Sequence, residues 1–316
     1  MYKGGGEAVK IFEYKYGDSL PIKNTAIALG YFDGVHLAHR ELISLTVKEA
    51  RARGLTPAVF TFSAEDASIK SSSARIYPTR VRLSILEELG IEVAVVSDFS
   101  SVAGLSPEKF VSEVLIGACG MRLAASGYNF RFGKGASGGA RELNALSIEG
   151  GAECLLLEER RYGGEPISST RIRAALLEGD VRLAEELLGA PYRLGGRVEH
   201  GRGVGQRLGF PTVNTRTPEG SVKMKNGVYK TAVRVEGRTY PAITNVGVCP
   251  TFDIREVHAE TFIKDFSGDL YGKEVEVLFL DFIREERRFD SPEELIMQIN
   301  IDKSIAFGES DKETEI

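Results

Sequence analysis

Four stretches of this 316-residue chain carry side chains suited to handling phosphates. The first is Gly30-Tyr31-Phe32-Asp33-Gly34-Val35-His36-Leu37-Ala38-His39, which leads from an apolar run into helical periodicity. A helix N-terminus offers N–H groups and partial positive charge to an anion. Two imidazoles three residues apart at that point suit hydrogen bonding to a phosphate chain as charge builds up during transfer. The pair also reads as ordinary surface histidines, and as metal ligands it lacks a third donor nearby. The second stretch, Ile167-Ser168-Ser169-Thr170-Arg171-Ile172-Arg173, opens another helix. There Ser169 can cap the helix or donate to a phosphate, and Arg173 adds a forked cation. Together the two helix entries suggest an ATP-like ligand held from both sides of a sheet.

The other two stretches lie in the second half. Gly201, Gly203 and Gly209 belong to a glycine-rich, cationic loop, residues 200–209. Such a loop can wrap backbone N–H groups around a phosphate. It lacks the GK[ST] ending of a P-loop and reads equally as a flexible hairpin. It runs into Pro211-Thr212-Val213-Asn214, where strand alternation puts Thr212 and Asn214 on one face as two oxygen donors suited to Mg²⁺. Glu260 is an acid in the strand-like run 257–262, which taken alone is a solvated strand face.

The elements that must position these residues follow two rhythms. Residues 25–157 alternate: strands at 25–29, 58–62, 92–96, 123–125 and 154–157, with helices at 40–53, 81–89, 107–116 and 140–147 between them. Repeated β–α units imply a parallel sheet with helices on both faces, and ligands bind beyond the carboxyl ends of such strands. Residues 171–188 read as two short helices broken at Gly179-Asp180. From Tyr192 onward, strands at 195–199, 227–235, 239–246, 257–263 and 274–280 leave no room for crossover helices, which predicts a small antiparallel barrel. Ser291-Pro292-Glu293-Glu294 starts a final helix. The fold class is therefore α/β, a Rossmann-like domain with a parallel sheet followed by a small barrel and a C-terminal helix. The boundary is placed near Gly189-Ala190-Pro191, giving domains 1–189 and 190–316.

Composition bounds the function classes. With 40 Lys+Arg against 45 Asp+Glu the net charge is −5, which offers no general attraction to nucleic acid or an anionic membrane. The sequence shows no apolar run of membrane-spanning length, and the segment MYKGGGEAVK has no apolar signal core. Cys119, Cys154 and Cys249 are far apart and odd in number, which fits small buried hydrophobes in a reduced, cytoplasmic setting. Phe210, Tyr229 and Phe252 are expected to pack the barrel core.

GYFDGVHxxH with SSTRIR resembles the nucleotidyltransferases of the HxGH class. The order of Gly127-Tyr128-Asn129-Phe130-Arg131-Phe132-Gly133, Gly209-Phe210-Pro211-Thr212-Val213-Asn214 and Asp269-Leu270-Tyr271-Gly272 resembles the bacterial bifunctional riboflavin kinase/FAD synthetases over residues 27–306. The resemblance implies that ATP, riboflavin and FMN are substrates, with FMN and FAD made in turn and Mg²⁺ accompanying ATP. It implies that His36 and His39 contact the ATP phosphates within the Gly30, Phe32 and Asp33 turn, with Ser169 and Arg173 closing on them. Asn129 would line the flavin and nucleotide cleft. In the barrel it implies ATP at Gly201, Gly203 and Gly209, Mg²⁺ on Thr212 and Asn214, Glu260 as catalytic base and Arg284 beside the flavin. Two departures stand out: Ala38 replaces the motif's glycine, and Ser63-Ala64-Glu65-Asp66 replaces a Pro/His-bearing loop. A kinase with a silent first domain, or a non-catalytic flavin- or nucleotide-binding regulator, are the alternative expectations.

Overall fold

A computed structural model describes residues 8–63, 74–199, 210–216, 220–248 and 257–308. Gly201, Gly203, Gly209, Cys249, Phe252 and residues 64–66 lie outside the described residues. The chain divides into two compact units, Met1–Ser169 and Thr170–Ile316.

The first unit is built on β1 (Lys10–Tyr14), β2 (Thr25–Leu29), α1 (Leu37–Arg53), β3 (Thr56–Phe62), α2 (Thr79–Glu88), β4 (Val93–Ser97), β5 (Met121–Gly127), α3 (Ala140–Glu149) and β6 (Glu153–Leu157). The six strands form one sheet in the order β1-β4-β3-β2-β5-β6, and every pairing is parallel. Residues TAIAL of β2 and VAVVS of β4 are buried throughout, as central strands covered on both faces must be. The expected helix at 107–116 begins at Pro107–Lys109, capped by Ser106, and continues as a π-helix over Phe110–Ala118. Strand β1 was not foreseen: its Lys-Ile-Phe-Glu-Tyr pattern is mostly exposed, as suits an edge strand.

The second unit opens with α4 (Ser169–Glu178), whose first residue ends the first unit, and α5 (Val181–Leu188), separated at Gly179-Asp180 as expected. Asp180 caps α5 by accepting from Leu183 N at 2.9 Å. Six strands follow: β7 (Tyr192–Glu199), β8 (Thr212–Arg216), β9 (Gly227–Val235), β10 (Arg238–Val248), β11 (Val257–Ile263) and β12 (Glu274–Arg284). They close into an antiparallel barrel in the order β7-β8-β11-β10-β9-β12, with β12 pairing back onto β7. Helix α6 (Pro292–Phe307), capped by Ser291, packs on β9, β10 and β12.

Alternation sorts the barrel's side chains. Thr231, Thr244 and Thr261 are buried and joined hydroxyl to hydroxyl at 2.9 Å, so the lumen tolerates them without orphaned polar atoms. Tyr229 lies fully buried against Phe279 and Phe282, as expected of a core aromatic. Glu260 and Phe262 flank Thr261 and therefore face outward, into a cavity that Asp302 and Lys303 of α6 also line. Phe210 is a correction: it lines an outer cavity, because it precedes β8 on the side covered by α6.

Candidate active sites

In the first unit the turn after β2 carries the sequence motif in a strained backbone. Phe32 and Val35 have φ of 55° and 44°, which side-chain-bearing residues rarely adopt. Gly30 is required there, since a Cβ would sit 2.9 Å from the Phe32 ring. The strain is held from several sides. The Asp33 carboxylate accepts from Ile76 N at 2.9 Å, and Ser169 Oγ donates to the Asp33 carbonyl at 2.8 Å. Phe32 and Asp33 are thus buried parts of the turn rather than free side chains, while His36 and Ala38 stand at the start of α1. Ala38 lies in the helical first turn, a conformation that alanine favours.

His36 and His39 come together. Their rings stack at 3.6 Å between centroids, tilted by 14°, and the edge of Phe32 meets His39 at 5.2 Å. Burial lowers the His36 pKa to about 4. The His39 imidazole is pushed well below its ordinary value by burial first, then by His36 and Arg82. Both rings are neutral at pH 7, and the buried Nδ1 atom of each makes no hydrogen bond. The pair is therefore a hydrogen-bonding surface, not a cationic one.

Arg82 is the residue that sequence reasoning missed. It is only 1% exposed, yet its guanidinium donates to the carbonyls of Tyr31 and Phe62, the latter at 2.7 Å, and it faces the Tyr31 ring at 4.9 Å. It ties the carboxyl ends of β2 and β3 together beside the imidazoles. In sequence it is one charged residue of a helix start, with no local signal of burial. Asn129 is exposed in the turn just after β5, the neighbour of β2, so it lies at the same carboxyl edge of the sheet. Arg173 is half-buried on α4, in the second packing unit.

In the barrel, strand register assembles the other site. Asn214 pairs with Glu260, Glu260 with Asn245, Asn245 with Val228 and Val228 with Arg284, forming one row around four strand boundaries. Thr212, two residues from Asn214, pairs with Phe262 in the parallel row. Thr212, Glu260, Asn245 and Arg284 line a cavity of about 550 Å³ between the barrel's outer face and α6. The Arg284 guanidinium grips Asp302 of α6 at 2.8 and 2.9 Å, and Gln298 donates to the same carboxylate at 2.8 Å. Asn245 donates to Glu286 at 3.4 Å. An asparagine amid a strand has low β-propensity, which was the available signal for Asn245.

The donor set fits a hard cation carried in with phosphate. Thr212 and Asn214 offer neutral oxygens on one strand, and no cluster of three His, Cys, Asp or Glu exists among the described residues to form an all-protein metal cage. Cys119 is buried and Cys154 half-buried, and burial pushes their thiols up to about 12 and about 11, as inert core residues.

Comparison with known proteins gives the two halves names. A family model described as FAD synthetase matches residues 20–171, and one described as riboflavin kinase matches 188–307. The bifunctional riboflavin kinase/FMN adenylyltransferase of Bacillus subtilis is 36% identical over 290 residues, spanning 89% of this chain and 91% of the relative. The protein of that name from Escherichia coli K12 is 34% identical over 293 residues, 90% of this chain and 93% of the relative. A solved structure described as a macrolide-efflux protein from Streptococcus pneumoniae matches with a TM-score of 0.85 at 31% identity, covering 96% of this chain and 100% of that one. The chain belongs to the bifunctional riboflavin kinase/FMN adenylyltransferase family.

Proposed function

We propose that the barrel phosphorylates riboflavin to FMN and that the α/β unit adenylylates FMN to FAD, both from ATP. The observation that carries the reading is that Thr212, Glu260, Asn245 and Arg284 line one cavity, with Asn214 the register partner of Glu260 and on the same strand face as Thr212. A carboxylate on a cavity wall, next to two neutral oxygen donors, suits deprotonation of an alcohol beside a metal–phosphate. Glu260 takes the proton of the ribityl 5′-hydroxyl as that oxygen attacks the γ-phosphorus, and ADP leaves. Thr212 and Asn214 would hold Mg²⁺, which supplies charge neutralisation on the phosphates when bound. Arg284, fixed by Asp302, orients the flavin, and the family resemblance assigns Gly201, Gly203 and Gly209 to the nucleotide.

In the first unit, His36 and His39 donate from neutral rings to the ATP phosphates. The Gly30, Phe32 and Asp33 turn shapes the backbone around them. Ser169, bonded to the Asp33 carbonyl of the same unit, stands beside this turn; the adenylylating domain is taken as residues 1–189, with Arg173 assigned to the phosphates as the family resemblance implies. Asn129 lines the flavin side. The FMN phosphate oxygen attacks the α-phosphorus and pyrophosphate leaves, a reaction that positioning and hydrogen bonding can carry without a covalent intermediate. Among the described residues no helix is long and apolar enough to cross a membrane; a cytoplasmic setting is the one in which ATP would be at hand as the substrate.

The test is a time course of riboflavin, ATP and Mg²⁺ with the full chain, separating riboflavin, FMN and FAD. FMN followed by FAD is expected. Glu260→Gln should lower FMN formation by about 10²-fold, the lower range for loss of a general base, while FAD formation from supplied FMN continues. Normal FMN turnover in that variant removes Glu260 from the mechanism.

A further inference from the structure

The cavity holds a cation to which no role has yet been given. Lys303 of α6 is half-buried, and its Nζ lies 5.4 Å from the ring centre of Phe210 and 5.3 Å from that of Phe262. Those two rings meet edge to face at 6.2 Å. They also bracket Thr212: Phe210 stands two residues before it, and Phe262 is its register partner on β11. The ammonium is therefore suspended over the part of the barrel that offers oxygen donors to phosphate.

The neighbouring cations are committed or exposed. Arg284 is neutralised by Asp302, Arg287 is exposed and lies over Phe289 at 4.7 Å, and Arg288 is exposed. Lys303 has no carboxylate within ion-pair distance among the described residues; its only contacts of this kind are the two aromatic faces. A lysine ammonium held against π-faces and by no carboxylate can be offered to an arriving anion without first breaking an ion pair. Its flexible stem lets the head move toward that anion.

We propose that Lys303 is a further catalytic residue of the kinase reaction, contacting the phosphoryl group in transfer. The proposal rests on the kinase reading given above. In the step concerned, the bond from the riboflavin 5′-oxygen to the γ-phosphorus forms and the bond from that phosphorus to the β,γ-bridging oxygen breaks. The hydroxyl proton goes to Glu260, and ADP carries away the bond's electron pair. Negative charge redistributes over the transferring oxygens, and a cation that moves onto them lowers the barrier. Phe210 and Phe262 hold the lysine in place beforehand.

The test compares the full-length wild type with K303M, which keeps the length and apolar stem, and K303R, which keeps the charge. The readouts are kcat and KM for FMN formation, and riboflavin affinity by quenching of flavin fluorescence. For K303M we expect kcat to fall by about 10-fold or more, toward the ~10²-fold typical of losing one transition-state contact, with riboflavin affinity unchanged. Unchanged affinity also reports an intact cavity, and K303R should recover most of the rate. Loss of riboflavin affinity with kcat preserved would place the lysine on the flavin and overturn the proposal, as would an unaltered kcat. A wild type that makes no FMN would instead overturn the kinase reading itself.

Discussion

At the scale of residues, the first unit relies on imidazoles that carry no charge. His36 is 6% exposed and stacked on His39, so protonating it means charging a buried group with no counter-ion. The direction of the consequence follows from linkage. The folded-state pKa of His36 is lowered from 6.5 to about 4, so below pH 6.5 the unfolded chain binds the proton that the folded chain refuses. Stability is full above pH 6.5 and is lost as pH falls toward 4. The span corresponds to about 3 kcal/mol at ~1.4 kcal/mol per pH unit. Hydrogen exchange of the β2 amides should show this loss in the wild type and a flatter pH dependence in His36→Gln. Equal slopes would mean that His36 is not buried neutral. Ala38 makes a second prediction at this scale: Ala38→Gly should leave the rate of FAD formation unaltered, because Ala38 is already helical. A faster variant would mean that the methyl group hinders the phosphates.

At the scale of elements, the ends of β2 and β3 are joined by one side chain from α2. Replacing Arg82 by methionine would leave the Tyr31 and Phe62 carbonyls without that donor in a buried region. A cost of about 1–3 kcal/mol for each unsatisfied group is expected. Because the strained Tyr31–Val35 turn depends on that bracing, the effect should fall on one activity. On stepwise heating, Arg82→Met should lose FAD formation from FMN at a lower temperature than the wild type. Its FMN formation should be lost at the wild-type temperature. Joint loss would mean that Arg82 supports more than the first unit. In the barrel, register plays the same part. A one-residue slip of β11 would turn Glu260 into the lumen and Thr261 outward, so the hydroxyl chain of Thr231, Thr244 and Thr261 protects the site's orientation.

At the scale of the whole molecule, two chemistries that share ATP are kept on separate elements of one chain. Among the described residues, those assigned to the kinase reaction belong to the barrel and α6, and the stacked histidines belong to the parallel sheet's carboxyl edge. Loss of either set should leave the other activity intact, which is why Glu260→Gln and Arg82→Met are each read against the second reaction. Membership of the bifunctional family over about nine-tenths of the chain accords with that division of labour.

Much of this was legible in the sequence because it is local. The two periodicities separated a parallel sheet from a barrel, the Gly179-Asp180 break and the capping Ser291 marked helix starts, and motif spacing singled out His36, His39, Thr212 and Asn214, while Glu260 was picked out only through the family resemblance. Strand β1 escaped because an edge strand need not alternate cleanly, and Phe210 was misplaced because an aromatic beside a strand reads the same whether it fills a lumen or a cavity. What only the tertiary structure decided is what depends on distant neighbours. The histidines are neutral because burial removes water from around them, a property of packing and not of spacing. Arg82 is a brace because β2 and β3 end on either side of it, and Asn245 and Lys303 join the kinase cavity through register and helix docking. Sequence alone determines which side chains exist and which local element each occupies; desolvation, register and opposing surfaces determine what they can do.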